Sequence, residues 1–259
     1  MRPLALVGNL SRDRVDGGPP RIGGGPFYGA TALRLLGRRA HVLAKCADSD
    51  RRSFLRALAP VGVPLTLVRA ETTTAFSFSY DGDVRTMHVD DVGDVWQPSD
   101  VASLPPAGWV HVAPLLRGDF PPETLAAVAR GRRVLFDGQG LVRRRCRGQL
   151  RLDAEFDRAL LEHVSVLKLG EDEARVLEPV TQLGAAEIVV TCGARGAIVY
   201  AHGDETRVAA HPIAGVDPTG AGDAFATAYA VSRAEGFRPA AAARRATAVV
   251  AAFLSRRPR

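Results

Sequence analysis

"GVDPTGAGDAFATAYAV", residues 215–231, sets three glycines and two aspartates around a proline and then enters an apolar, alanine-rich run. It reads as a glycine turn that becomes a helix, with Phe225, Ala228, Tyr229 and Ser232 along one face. Gly220 and Gly222 let the backbone approach a ligand closely. The first amides of a helix have no intrahelical partners and carry the positive end of its dipole, so such a turn is an anion site. A lone carboxylate at that point is an ordinary capping device. Asp223 sits beside two glycines that a cap does not need. With a phosphoryl group on the amides of Gly220, Ala221 and Gly222, it is placed to accept a proton from an attacking hydroxyl.

Upstream, short aliphatic runs at 4–8, 41–46, 109–114, 133–137, 165–169 and 187–191 alternate with helical patterns at 29–37, 50–58, 121–130 and 153–164. The runs are too short for helices, so they predict buried parallel strands covered by helices on both faces, an α/β fold. A chain of 259 residues, 46% hydrophobic, can bury one large core, which predicts a single domain over 1–259. One stretch breaks the rhythm. Residues 72–89 alternate Phe76, Phe78 and Tyr80 against Ser77 and Ser79, turn at Asp81-Gly82-Asp83 and resume as a second strand. This hairpin is either a lid over the strand ends or an antiparallel edge of the main sheet. Residues 90–108 read as a loop leading back to the core.

The formal charge is +6, yet Lys45 and Lys168 are the only lysines among 34 basic residues, a coding bias rather than a nucleic-acid surface. The basic stretches at 130–134 and 143–148 have no interleaved aromatics, so no nucleic-acid partner is expected. Cys46, Cys146 and Cys192 are far apart, without zinc-site spacing, which fits a reducing compartment. The start lacks a signal-peptide pattern and no apolar run approaches a membrane span, so a soluble, cytoplasmic protein is expected. Neither lysine follows a glycine, which excludes a P-loop; GxGxxG after the first strand, GxSxG and HExxH are also missing.

"DPTGAGDAF" resembles the signature of the ribokinase-like, or PfkB-type, carbohydrate and nucleoside kinases. The likeness extends to "VGNLSRD" (7–13), "IGGGPFYGATALRLLG" (22–37) and "TCGARG" (191–196), in that family's order. It implies a three-layer α/β/α sandwich, with a small β-lid formed near 12–22 and 72–90. It also implies ATP-dependent phosphorylation of a hydroxyl on a small polyol: a sugar, cyclitol or nucleoside. Asp223 would be the general base and residues 220–222 the anion hole. Asp13, Gly23, Gly24, Gly25 and Tyr28 would hold the acceptor; Thr191, Gly193, Arg195, Gly196 and Lys168 would hold the nucleotide. Glu173 would order Mg²⁺ through water, and Asp217 with Thr219 a monovalent cation such as K⁺.

Departures from the family pattern accompany the likeness. Gly170 stands where relatives have the Asn of an Asn-x-x-Glu motif, Tyr28 replaces an Asn and Pro218 a Thr. The ending "AAFLSRRPR" implies a short wall for the adenine site. Tyr28 and "FDGQGLVR" (136–143) lean toward a cyclitol acceptor. A ligand-binding or regulatory protein on a kinase scaffold, catalytically weak for want of the Asn, is the alternative. An exposed aromatic face of Phe76, Phe78 and Tyr80 would be explained by a homodimer in which lid hairpins pair.

Overall fold

Strands that are apolar on both faces must be covered on both faces, and that requirement organises this chain. The computed structural model describes residues 4–81, 84–211, 213 and 215–256. The chain begins β1 (Leu4–Asn9), β2 (Ser11–Val15), β3 (Arg21–Gly23), α1 (Gly25–Leu35), β4 (Ala40–Ala47), α2 (Asp48–Leu58), β5 (Leu65–Ala70), β6 (Thr74–Asp81) and β7 (Val84–Asp91). It continues β8 (Trp109–Ala113), α3 (Pro122–Ala129), β9 (Arg133–Asp137), α4 (Gln139–Val142), β10 (Gly148–Gln149), β11 (Val166–Gly170) and α5 (Glu171–Val176). It closes with β12 (Glu187–Thr191), β13 (Ala197–Ala201), β14 (Asp204–Val208), α6 (Ala221–Ala234) and α7 (Pro239–Leu254).

The main sheet has the order β14-β13-β12-β11-β9-β8-β1-β4-β5. Neighbours from β12 to β5 are parallel; β13 and β14 add an antiparallel edge. Side-chain alternation divides the core. Leu4 and Leu6 of β1 pack with α1, α2, α6 and α7, whereas Ala5 and Val7 pack with α3 and α5 on the other face. Full burial of a side chain such as Leu6, Leu43 or Leu135 contributes roughly 1.5–3 kcal/mol, and both layers are built from such residues. The result is a three-layer α/β/α sandwich. All six predicted strands form. The chain reverses direction across the sheet between β1 and β8, and the crevice at the carboxyl ends of such strands is where α/β folds bind ligands.

The hairpin β6–β7 is not an edge of this sheet. It joins a second, five-stranded sheet, β10-β7-β6-β2-β3, that rises from the end of β1. Its inner face does not await a partner: Phe76 and Phe78 are buried against Leu115 and Leu116 of the same chain. That corrects the expectation of an exposed aromatic face, because the strand alternation turns both rings inward; residues 82 and 83 and the side chain of Tyr80 lie outside the described residues. The helix expected over 153–164 shrinks to a 3-10 turn at Arg158–His163. The Asp153 carboxylate accepts the Glu155 amide at 2.9 Å, a local bond that competes with a helix, whereas Asp157 accepts that of Ala159 at 2.9 Å and caps the start of the 3-10 turn. Among the described residues no helix is long and apolar enough to cross a membrane.

Candidate active site

The turn before α6 forces the site's geometry. Gly220 has φ 81°, and a β-carbon there would fall 2.3 Å from the ring of Tyr28, so only glycine lets the turn sit on that ring. Tyr28 in turn meets Phe253 of α7 edge-on, with centroids 6.3 Å apart. At the start of α1, Gly24 has φ 91° and ψ 156°, a region reserved for glycine, and a β-carbon would strike the Asn9 carbonyl at 2.4 Å. A β-carbon on Gly25 would lie 3.1 Å from Asp223 Oδ1, so the two glycine segments meet at the carboxylate.

A polar pocket of about 190 Å³ opens on one side of the turn. Asp13, Asp137, Gln139, Arg143, Lys168, Glu173 and Asp223 face it, with Phe76, Phe78 and Met87 of the lid above. The Ser11 hydroxyl donates to Asp13 Oδ1 at 2.7 Å, fixing that carboxylate. Lys168 Nζ lies 3.3 and 3.4 Å from the two oxygens of Asp137, and 2.9 Å from where a Gly222 β-carbon would be. Glu173 Oε2 accepts the Gly170 amide at 2.7 Å, and its other oxygen is 3.7 Å from Arg143 Nη2.

Burial and charge set the proton affinities. Asp223 is pushed up to about 7, first by burial and then by Asp137, against the pull of Lys168 and Arg143. Burial opposes the Lys168 ammonium, but Asp137, Glu173 and Asp223 outweigh it and hold the group above its ordinary value. His111 of β8 is pushed down to about 3 by burial and by Lys168, so it is neutral. Its Nδ1 lies 2.9 Å from the Thr227 hydroxyl, one turn beyond Asp223, tying α6 to the sheet.

On the other side of the turn lies a largely apolar cleft of about 370 Å³, lined by Thr191, Gly193, Gly196, Ile213, Phe225, Val250, Ala251 and Leu254 among others. Pro218 and Gly222 line both spaces, so the glycine turn is their common wall.

Most residues singled out in the sequence converge here. Asp13, Gly24, Tyr28, Glu173, Thr219, Gly220, Gly222 and Asp223 border the polar pocket, with Gly23 and Gly25 behind it; Thr191, Gly193, Gly196 and Ala221 border the cleft. Two depart from their expected places. Lys168 lies in the polar pocket rather than the cleft, and the Arg195 side chain, 71% exposed, pairs with Glu171. The Asp217 carboxylate accepts the Thr219 amide at 2.9 Å. Sequence reasoning tied the stretch 136–143 to the acceptor but did not name Asp137, Gln139 and Arg143 as pocket residues; their signal was an aspartate ending a buried strand, followed by glycine, at 136–140.

The model of the pfkB family carbohydrate kinases matches residues 20–257. A rice (Oryza sativa subsp. japonica) protein named inositol 3-kinase is 33% identical over 192 residues, 69% of this chain and 48% of that protein. The chain thus spans about half the length of the curated relatives it matches. A pyrophosphate-dependent kinase in the ribokinase family, solved with a pyrophosphate analog and myo-inositol, superposes with a TM-score of 0.85 at 26% identity, over 99% of this chain and 96% of that one. A sulfate complex of a pyrophosphate-dependent kinase of that family gives 0.86 at 27%, over 98% and 96%. A match that runs from residue 20 to residue 257, through the glycine segment at 23–25 and the turn before α6, leaves one assignment: the chain belongs to the pfkB family of carbohydrate kinases.

Proposed function

We propose that the protein is a kinase that moves the γ-phosphoryl group of ATP to a hydroxyl of a cyclitol of the myo-inositol type. One observation carries this reading: a half-buried carboxylate faces a polar pocket from a glycine turn that walls that pocket off from an apolar cleft. Phosphoryl transfer needs two substrates held in line, an anion site between them and a base on the acceptor side. Asp13, with the glycine segment at 23–25 and Tyr28 behind it, would hold the acceptor hydroxyls. Asp223 would take the proton of the attacking hydroxyl, and the amides of residues 220–222 would bind the transferring group. The lid face of Phe76, Phe78 and Met87 would exclude water that otherwise diverts the phosphoryl group.

The size and chemistry of the spaces support the substrates named. The pocket, about 190 Å³, is below the ~300 Å³ at which drug-sized sites begin, which favours a single-ring polyol over a nucleoside. Relatives named for inositol or solved with it support the same acceptor. Among the donors, the cleft supports ATP. Pyrophosphate has no apolar surface, whereas Ile213, Phe225, Val250 and Leu254 suit a nucleoside, so ATP is favoured although three similar solved structures are of pyrophosphate-dependent kinases. Among the described residues no cluster of three metal-binding side chains exists. A phosphate-borne Mg²⁺ requires only one or two carboxylates, which Glu173, through water, and Asp137 would supply. When bound it would neutralise charge on the donor phosphates. Asp217 and Thr219 would hold a monovalent cation beside the turn.

The test is donor consumption, ATP and pyrophosphate in parallel, against myo-inositol, hexoses, pentoses and nucleosides, with Mg²⁺ and K⁺ present. ATP turnover that depends on myo-inositol is expected. If no acceptor supports turnover with either donor while polyols still raise the melting temperature, the scaffold binds without catalysing.

A further inference from the structure

The chain enters the lid sheet three times, as β2–β3, as β6–β7 and as β10, and each entry has a crossing to the body on either side. Crossings from all three entries meet at one fully buried carboxylate, that of Asp119 in the loop after β8. Its Oδ2 accepts Asn9 Nδ2 at 3.0 Å, at the step from β1 to β2, and the Asn9 carbonyl is the atom that forbids a β-carbon on Gly24, between β3 and α1. Its Oδ1 accepts from the guanidinium of Arg145, just before β10, and that guanidinium also donates to the Gly93 carbonyl, just beyond β7. The Gly93 amide in turn donates to the hydroxyl of Thr74, the first residue of β6, at 3.1 Å.

The same carboxylate fixes the surface on which the lid rests. Its Oδ2 also accepts the amides of Leu115 and Leu116 at 2.8 and 3.0 Å, and the lid rings of Phe76 and Phe78 pack on those two leucines. A carboxylate without exposure is tolerable only when donors meet its oxygens, and Arg145 is the one charged partner of Asp119 among the described residues. This pair therefore differs from exposed ones on the same stretch, such as Arg147 with Asp91, which contribute little. The basic stretch at 143–148 is a fastening and not an open charged face: Arg144, Arg145 and Arg147 each meet an aspartate from another segment.

We propose, resting on the kinase reading above, that Asp119 and Arg145 are positioning residues whose ion pair locks the crossings of the lid together and so holds Phe76 and Phe78 down before an acceptor arrives. Neither residue lines the polar pocket. They act through the lid, and the lid acts on the acceptor. A site whose closed form is already populated binds its ligand without first drawing down that equilibrium, so loosening the lock weakens apparent acceptor affinity by the fraction of closed form lost.

The experiment compares wild type with Arg145→Met, Arg145→Lys and the double variant Asp119→Asn/Arg145→Met, which leaves no unpaired buried charge and keeps the measurement possible should Arg145→Met not fold. Hydrogen exchange of the free proteins is read by mass spectrometry. Peptides from β2, β6 and β7 should exchange ~10-fold faster or more in the Met variant and the double variant, the worth of one charge-assisted hydrogen bond, with β8, β9, β11 and β12 unchanged. In turnover with Mg-ATP and myo-inositol, acceptor KM should rise ~10-fold with ATP KM within about twofold, and more ATP should be hydrolysed per acceptor phosphorylated. Arg145→Lys, which keeps a charge for Asp119, should recover part of each effect. Lid exchange that stays at the wild-type rate, main-sheet exchange that accelerates as much as the lid's, or equal rises in both KM values would overturn the lock. A wild-type protein without turnover on any acceptor sinks the kinase reading, and the exchange rates still decide the lock.

Discussion

Replacing Asp223 by Asn tests the base and the cost of its burial together. The carboxyl moves from an ordinary 3.8 to about 7, roughly three pH units, and each unit is worth about 1.4 kcal/mol. Ionising it inside the folded chain therefore costs at most about 4 kcal/mol. Below pH ~4 the group is protonated in both folded and unfolded chains. As pH rises the unfolded chain releases its proton first, so wild-type stability falls until the folded group also ionises near pH 7. Asp223→Asn escapes that loss. Its melting temperature should match wild type near pH 4 and exceed it by several degrees at pH 8, since 1 kcal/mol is about 2–4 °C for a chain of this size. Activity should move the other way. The kcat should drop ~10²–10⁴-fold, and the wild-type rate should decline on the acid side of pH ~7, where the base becomes protonated. Scanning calorimetry at the two pH values and a pH–rate profile make the check. A stability difference that does not grow with pH, or a variant retaining a tenth of wild-type kcat, would refute the reasoning.

The neighbours of that carboxylate make further predictions. Lys168→Met leaves Asp137 and Asp223 without their buried cation, so urea denaturation above pH 7 should show a loss of roughly 3–5 kcal/mol, and the acid limb of the rate profile should shift to higher pH. Gly170→Asn is tolerated sterically, since its β-carbon would approach only the Glu173 carboxyl, at 3.6 Å. At this helix-capping position stability should change by a few tenths of a kcal/mol, while titration of turnover against Mg²⁺ should show a lower requirement. Ala251→Trp on α7 fills the apolar cleft; ATP KM should rise at least tenfold with acceptor KM unchanged, and an unchanged ATP KM would place the nucleoside elsewhere.

The buried strands were legible because period and burial coincide: a run such as "EIVVT" at 187–191 has no polar face and can only be an interior strand. The glycine turn at 215–223 was equally legible, since Gly220, at φ 81°, takes a backbone conformation that favours glycine whatever packs around it. The acids of 153–157 misled because Asp153 bonds to the nearby backbone and Asp157 caps a later, shorter 3-10 turn, neither of which periodicity shows. Lid and edge could not be told apart either, because a hairpin with one apolar face fits both; only its pairing with β2, rather than with the main sheet, resolves the choice.

For this protein, sequence alone determined the alternating strands and helices, the glycine turn and the aspartate in the first helical turn after it, all properties of neighbours along the chain. The tertiary structure decided what depends on residues distant in sequence. It buried Phe76 and Phe78 over the pocket, set Lys168 between Asp137 and the α6 turn, and brought Arg143 to Glu173. It also raised the proton affinity of Asp223 to about 7, for desolvation and the charge of Asp137 exist only once β9, β11 and α6 have converged.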